Sequence, residues 1–384
     1  MLKKAPWLQL TSDFSIAVNE ALPADWPSAA VPGDACFHVF QSREFLTTWL
    51  ASRGQCAKTS CYFVEINNRL GERVMLLPLA ITRVGGVRVL GFVDGGLADY
   101  GAPVIYPHRT CWSKELVAAL WDAVVERLPR VDLVKLKNMP PQIGVHSNPL
   151  SLMETQLNEE GAHGADLTAS WETIESRQGH LKTLKRNIQR LERLGEVKLV
   201  VAQTADEVER LLDVALAQKQ RRHEETKVRS VGEDQALLTY FRAASRSFSA
   251  IGQLHLAALE VNGEIVGTSW SLIQGTHVYC IMIGFADGEW RRYSCGRILN
   301  FMLLRHLKER GYAYFDQCIG DESWKFQACE THVALQQCVA PVNWRGTLLL
   351  RYWAGRAALR QNPHWQKIRR ALHRPAQVSV AVAE

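Results

Sequence analysis

The sequence predicts an α/β protein of the α+β kind: two units, each a mixed, mostly antiparallel sheet flanked by helices. Three observations predict it. Each half reads helix, three strand-like runs, glycine-bearing loop, helix, strand, so one arrangement is used twice. Short turn signals join successive strand-like runs, which makes neighbours antiparallel. The chain has 384 residues, 47% apolar and 22% charged, which suits two domains, or one large α/β domain, with ordinary cores.

Residues 1–34, rich in Pro, Ala and Ser, read as an irregular lead-in, and residues 35–150 as the first domain. SREFLTTWLASRG, Ser42 to Gly54, has helical spacing with a serine at the N-cap. The runs CYFVEI, ERVMLLPLAITRV and VRVLGFV read as strands, with NNRLGE as a turn between the first two. DGGLADYGAPVI is a glycine-rich loop ending in a short strand; there Asp94, Asp99 and Tyr100 either shape the loop or line a cleft between domains. KELVAALWDAVVERLP is an amphipathic helix closed by Pro129, and VDLVKLKNM is a strand.

Residues from about 145 to 170 are polar and weakly patterned, and read as a connection. The second domain is expected over 165–345. It opens with the basic helix RQGHLKTLKRNIQRLERLG, where Lys182, Arg186, Gln189 and Arg193 share one face. Strand EVKLVVA and two helices follow. Then come the strands LHLAALEV, IVGTSWSLIQ and HVYCIMIGF, a basic turn, a helix over 296–310, strand YAYFDQC, the loop IGDESWKFQ and a last strand, QQCVAPV. Residues 346–384 form a basic helical tail; Arg345 to Arg374 holds eight Arg or Lys and no acid, the composition of a solvated tail or of one that meets a membrane surface or another anionic partner.

Composition excludes several classes. The net charge of +6 suits an anionic ligand and carries no expectation of nucleic-acid binding. Nine cysteines with no CxxC pair read as reduced, buried thiols. No HxxxH or HExxH spacing occurs, so no metal site is expected. Lys3 and Lys4 precede a run broken by Gln9, Thr11, Ser12 and Asp13, so no signal peptide is expected there, and VMLLPLAI is far short of a membrane span. A cytoplasmic protein is expected.

The chemistry concentrates at WRRYSCGRILN, Trp290 to Asn300. It joins the strand-like run HVYCIMIGF to an amphipathic helix. A helix start offers N–H groups without intrahelical partners and the positive end of the dipole, so it suits a phosphate. Small residues let the backbone approach a pyrophosphate.

This turn resembles the acyl-CoA pyrophosphate loop of the GNAT acyltransferases, Arg/Gln-x-x-Gly-x-Gly/Ala. Arg291 matches its first position and Gly296 its last, and Ser294 stands where the family has its middle glycine. RYSCGRILN followed by YFDQCIGDESWKFQ is similar to the bacterial group associated with cellulose and exopolysaccharide biosynthesis, akin to the Fem-type aminoacyltransferases. LLPLAITRVGGVRVLGF, DGGLADYGAPVI and KTLKRNIQRLERLG resemble that group too, so the resemblance covers about residues 35 to 345. Two departures stand out. Cys295 replaces a proline, and Trp324 replaces a tyrosine in a neighbourhood where many members protonate the leaving thiolate; an indole cannot do so.

The resemblance implies tandem GNAT-like domains, the first degenerate at its loop. It implies acetyl-CoA, or another acyl-CoA, as co-substrate, bound by Arg291, Arg292, Tyr293, Ser294, Cys295, Gly296 and Arg297. The strand backbone near Met282 and Ile283 would polarise the thioester. Asp321 or Glu322 would take the acceptor's proton, with Lys325 beside them. A cysteine nucleophile, Cys318 or Cys329 with His332, is a further candidate. The expected reaction is direct acyl transfer to nitrogen or oxygen of a saccharide precursor or small amine. The alternatives are a Fem-like transferase using aminoacyl-tRNA and a non-catalytic CoA-binding module for polysaccharide synthesis.

Overall fold

The computed structural model describes residues 11–55, 58–226 and 234–361. In the first half, β1 (Phe14–Asn19), β2 (Thr59–Asn68), β3 (Arg73–Val84) and β4 (Val87–Phe92) form an antiparallel meander. β5 (Val104–Ile105) pairs with β3. Helix α1 (Arg43–Ala51) starts where the Ser42 hydroxyl accepts from the Phe45 amide. Helix α2 (Lys114–Arg127) starts on Ser113 in the same way. β6 (Leu133–Met139) then runs parallel to β4.

The second half repeats this plan. Between the halves lie β7 (Gln156–Leu157), β8 (Ala162–Asp166) and helix α3 (Leu181–Glu192). β9 (Val197–Val201), helices α4 (Ala205–Thr226) and α5 (Gln235–Ala250), and the strands β10 (Leu254–Val261), β11 (Glu264–Gln274) and β12 (His277–Phe285) follow. Helix α6 (Cys295–Glu309) leads to β13 (Tyr314–Ile319), parallel to β12 as β6 is to β4. The repeat extends to the backbone: the penultimate residues of β6 and β13, Asn138 and Cys318, both take left-handed φ values, 57° and 58°. Last come β14 (Thr331–Val333), β15 (Gln336–Pro341) and helix α7 (Trp344–Gln361).

The sheets exchange strands. Their orders are β1-β2-β3-β4-β6-β15-β7 and β9-β10-β11-β12-β13-β8-β14. β15 returns from the C-terminal side to pair with β6, while β8, from the connection, pairs with β13. The expected boundaries therefore change in three places. Residues 336–341, assigned to the second domain, lie in the first sheet. The second sheet gains residues 162–164 of the connection; AHGAD has no apolar run, so hydrophobic pattern could not reveal it. Within the expected irregular lead-in, FSIAVN pairs with β2 along its whole length and alternates in burial, a pattern that the surrounding Pro- and Ala-rich composition masks. The tail beyond residue 361 lies outside the described residues.

One hydrophobic core crosses between the halves, joining Trp26, Phe45 and Phe63 to Leu211, Trp270 and Tyr279. Polar bonds fix its orientation. Tyr100 donates to Asp316 Oδ2 at 2.8 Å, and Arg53 pairs with Asp234 at 3.0 Å. On the opposite face of the second sheet, α3 and α6 cover a separate core. Among the described residues no helix is long and apolar enough to cross a membrane.

Candidate active site

β12 and β13 pair only at His277–Tyr314, Val278–Phe315 and Tyr279–Asp316, and then diverge. The register between β11 and β12 slips at Trp270/Ser271, leaving Ile281 as the extra residue of a bulge. The bulge bends β12 away from β13 and leaves its outer half without a partner strand on that side. A cleft of about 810 Å³ opens between them, lined on the β12 side by Cys280, Ile281, Ile283 and Phe285.

One end of the cleft is the basic turn. Residues Gly288–Tyr293 form a short 3-10 helix, Ser294 turns left-handed at φ 59°, ψ 47°, and α6 begins at Cys295. That conformation explains the glycine of the resembling motif: a side chain there costs about 1 kcal/mol. Ser294 makes no side-chain cap, and the first turn of α6 contains no acid. A Cβ on Gly296 would stand 3.1 Å from the Phe285 ring, so a small residue lets the helix start close against the strand. Arg291 pairs with Asp287, and Arg297 donates to the Gly179 carbonyl at 2.6 Å; both line the cleft. Lys219 and Arg222 of α4 add two cations to its wall, and burial lowers the pKa of Lys219.

The first domain reaches the same cleft through Asp99. In that domain the loop 93–101 is held against β6: the Gly101 amide donates to Asn138 O at 2.9 Å and Asn138 Nδ2 to Ala98 O at 3.3 Å. Gly101 is required there, since a Cβ would lie 2.3 Å from Lys137 O. The loop carries Tyr100 to Asp316 and Asp99 into the cleft. Burial pushes the Asp99 carboxyl up to about 7; Asp316 and Asp94 add to the rise, while the Cys318 thiol and the Lys325 charge oppose it.

The loop after β13 forms the remaining wall. Lys325 is buried, donates to Ile319 O at 2.6 Å and pairs with Glu322 at 3.2 Å. Its ammonium lies 6.0 Å from the Trp324 ring centroid. The Cys318 thiol, also in the cleft, is pushed well above the ordinary thiol range by burial, and that of Cys329 up to about 12. Neither has the lowered pKa of a nucleophile.

The residues singled out from sequence separate into two sets. Ile283, Arg291, Ser294, Cys295, Gly296, Arg297, Glu322 and Lys325 line the cleft. Met282 does not, because side chains alternate along a strand; it packs in the core between the halves. Arg292 turns to Glu289 at 3.6 Å and to the Tyr293 ring, and Tyr293 is buried, its carbonyl accepting from Asn187. Asp321 faces the other way, with Oδ1 2.8 Å from His163 Nε2, and it does not line the cleft. Lys219 and Arg222 were not anticipated, since two cations on an amphipathic helix look like a solvated face.

A parallel strand pair that splays above a helix start, in a sheet otherwise antiparallel, defines the class of an acyltransferase-type α/β fold. Residues 178–326 match the acetyltransferase (GNAT) domain family. The second half thus carries an acyltransferase domain, and the protein is an enzyme of that class. Among solved structures, FemX overlaps 82% of this chain and 94% of its own at a TM-score of 0.55 and 11% identity. A tandem GNAT protein from the clavulanic acid biosynthesis pathway overlaps 86% and 99% at 0.46 and 14%. L-PGS from Bacillus licheniformis overlaps 80% and 95% at 0.47 and 13%. No curated protein matches the chain.

Proposed function

We propose that the protein transfers an acyl group, acetyl in the simplest case, from acyl-CoA to an amine or hydroxyl of a small molecule or saccharide precursor. The reading rests on the cleft between the diverging β12 and β13, which ends on the amides of Cys295 and Gly296 between Arg291 and Arg297. The pyrophosphate would rest on that helix start, with Lys219 and Arg222 along the pantetheine path. The thioester would lie where the bulge frees the β12 backbone, whose N–H groups would stabilise the oxyanion. Holding donor and acceptor in one cleft favours direct attack.

Of the carboxylates considered, we assign the general base to Asp99. It lines the cleft with a pKa near the working range, so it accepts a proton at neutral pH without being permanently ionised. Glu322 balances Lys325, and Lys325 ties the loop to the end of β13. No tyrosine takes the place of Trp324 in the cleft lining, so the CoA thiolate would leave without an acid from that position.

The test is an acceptor screen with acetyl-CoA and thiol release as readout. Turnover with an amine or hydroxyl supports the reading. CoA binding without turnover for any acceptor favours the non-catalytic module. Acyl transfer from aminoacyl-tRNA alone favours the Fem-like alternative, for which the basic face of α3 would be the contact.

For partners we propose an anionic membrane surface at α7. Trp344, Leu348, Tyr352 and Leu359 are 65%, 54%, 58% and 51% exposed. At 3.6 residues per turn they fall within an arc of roughly 80°. Leu349 and Trp353, on the opposite side, pack on the first sheet. Arg345 and Arg356 flank the stripe on one side and Arg351 on the other, and the helix contains no acid. An apolar stripe edged by arginines matches a lipid headgroup boundary. The eight described cysteines are free thiols, which suits a cytoplasmic location on the inner face of that membrane.

A further inference from the structure

Residues from two distant stretches of the sequence, His163 and the segment 321–332, meet behind the wall of the cleft. His163 of β8 and His332 of β14 are direct partners in an antiparallel pair. Asp321 approaches them from the loop after β13. Its Oδ1 lies 2.8 Å from His163 Nε2 and 4.0 Å from His332 Nε2. All three candidate ligand atoms lie within 4.8 Å of one another. Their side chains are 1%, 35% and 49% exposed for His163, Asp321 and His332, so the group is anchored inside and open on one side.

The surroundings hold this arrangement in place. A Cβ on Gly161 would stand 2.2 Å from His332 Nε2, so a side chain there would displace the ring from this position. The Phe326 ring packs edge-on against His163 at 4.5 Å and lies 6.2 Å from His332, giving the group an apolar side. The His163–Asp321 hydrogen bond alone would account for the buried imidazole. It does not account for His332, which faces the same carboxylate oxygen beyond hydrogen-bonding distance, across a backbone that has no side chain in its way.

We propose that His163, Asp321 and His332 bind a divalent first-row cation, zinc by donor set, with the fourth position open to water. Two imidazoles and a carboxylate are borderline ligands that suit zinc, with metal–ligand distances of about 2.0–2.2 Å. Tetrahedral geometry then sets donor atoms about 3.3–3.6 Å apart, between the separations seen for Asp321 with its two partners. A small movement of the half-exposed His332 closes the set. The ion would join β8, β14 and the loop 320–326, the segment that presents Glu322, Trp324 and Lys325 to the cleft. It acts as a clip on that wall rather than as a Lewis acid, because Asp321 faces away from the cleft. The expectation of no metal site came from local histidine spacing, which a cluster assembled from residues 163, 321 and 332 cannot display.

The test uses the full chain, stripped with chelator and titrated with Zn²⁺ by calorimetry and with Co²⁺ by absorption. One ion per chain is expected. The cobalt spectrum should show ligand-field bands without a thiolate charge-transfer band, which excludes the cysteines. His332→Ala and Asp321→Asn, both at exposed positions, each remove a direct ligand and should weaken binding by at least roughly 100-fold, the upper end of what loss of an outer-shell partner costs. Zinc should also slow amide hydrogen exchange over 320–326 in wild type and not in His332→Ala. A folded wild type that binds neither ion overturns the proposal. So does a thiolate band, or binding that both variants leave unchanged. These readouts need no acyl-CoA, so they stand apart from the fate of the acyltransferase reading.

Discussion

Asp99→Asn should lower activity and raise stability, and both effects should follow the same titration. The Asp99 carboxyl is raised from 3.8 to about 7, first by burial. The folded state therefore binds a proton that the unfolded state releases between these values. Folding stability falls as pH rises from about 4 to about 7, and the full penalty persists above 7. Three units at 1.36 kcal/mol each give about 4 kcal/mol as an upper limit. Asp99 keeps part of its surface in the open cleft, and solvent screening there reduces the expected gain from asparagine to about 2 kcal/mol. Thermal unfolding across pH should show nearly equal stability of the two proteins near pH 4, with the variant pulling ahead until about pH 7 and the gap constant beyond. Activity should move oppositely. Wild-type kcat/KM should rise about tenfold per pH unit below about 7 and then level off, while the variant should be 10²- to 10⁴-fold slower without that limb. An unchanged pH limb in Asp99→Asn would refute the assignment and pass the base to Glu322. A variant no more stable than wild type at pH 8 would refute the burial argument itself.

Two further outcomes follow from backbone geometry and surface pattern. Ser294→Gly removes a side chain from a left-handed position that it does not use for capping, and should stabilise the fold by about 0.5–1 kcal/mol in thermal unfolding while keeping acetyl-CoA affinity; a clear loss of affinity would make the serine hydroxyl a phosphate ligand. Leu348→Glu/Tyr352→Glu places two carboxylates on the exposed stripe of α7 and should abolish co-sedimentation with vesicles containing anionic lipid, leaving the fold intact; equal binding by both proteins, or binding to neutral vesicles alone, would reject the membrane surface, and a wild-type dimer broken by the same variant would make the stripe a self-association face.

Much of the fold was legible because its signals are local. The meanders of β2–β4 and β10–β12 show as apolar runs between turn residues, and α2 as a periodic stripe. The turn between β12 and α6 was legible because its strand, turn and helix start are contiguous in sequence. What escaped depends on contacts between distant segments. The exchange of β8 and β15 leaves no mark, since a five-residue AHGAD strand is buried by its neighbours rather than by its own hydrophobicity. Asp99 could be suspected in a glycine-rich loop, but its raised pKa comes first from burial against the other half, where Asp316 adds to the rise and Cys318 and Lys325 oppose it. Asp321 and Glu322 are adjacent in sequence yet point to different sides of one loop, a division that composition cannot express.

Calorimetric titration of the full chain with acetyl-CoA, beside Arg291→Ala and Arg297→Ala, bears on the cleft itself. Binding at one site per chain in the micromolar range is expected, weakened roughly 10- to 100-fold for each arginine removed, as suits hydrogen bonds to a charged phosphate. No heat of binding from a folded wild type, or affinity indifferent to both arginines, would contradict the acyl-CoA cleft.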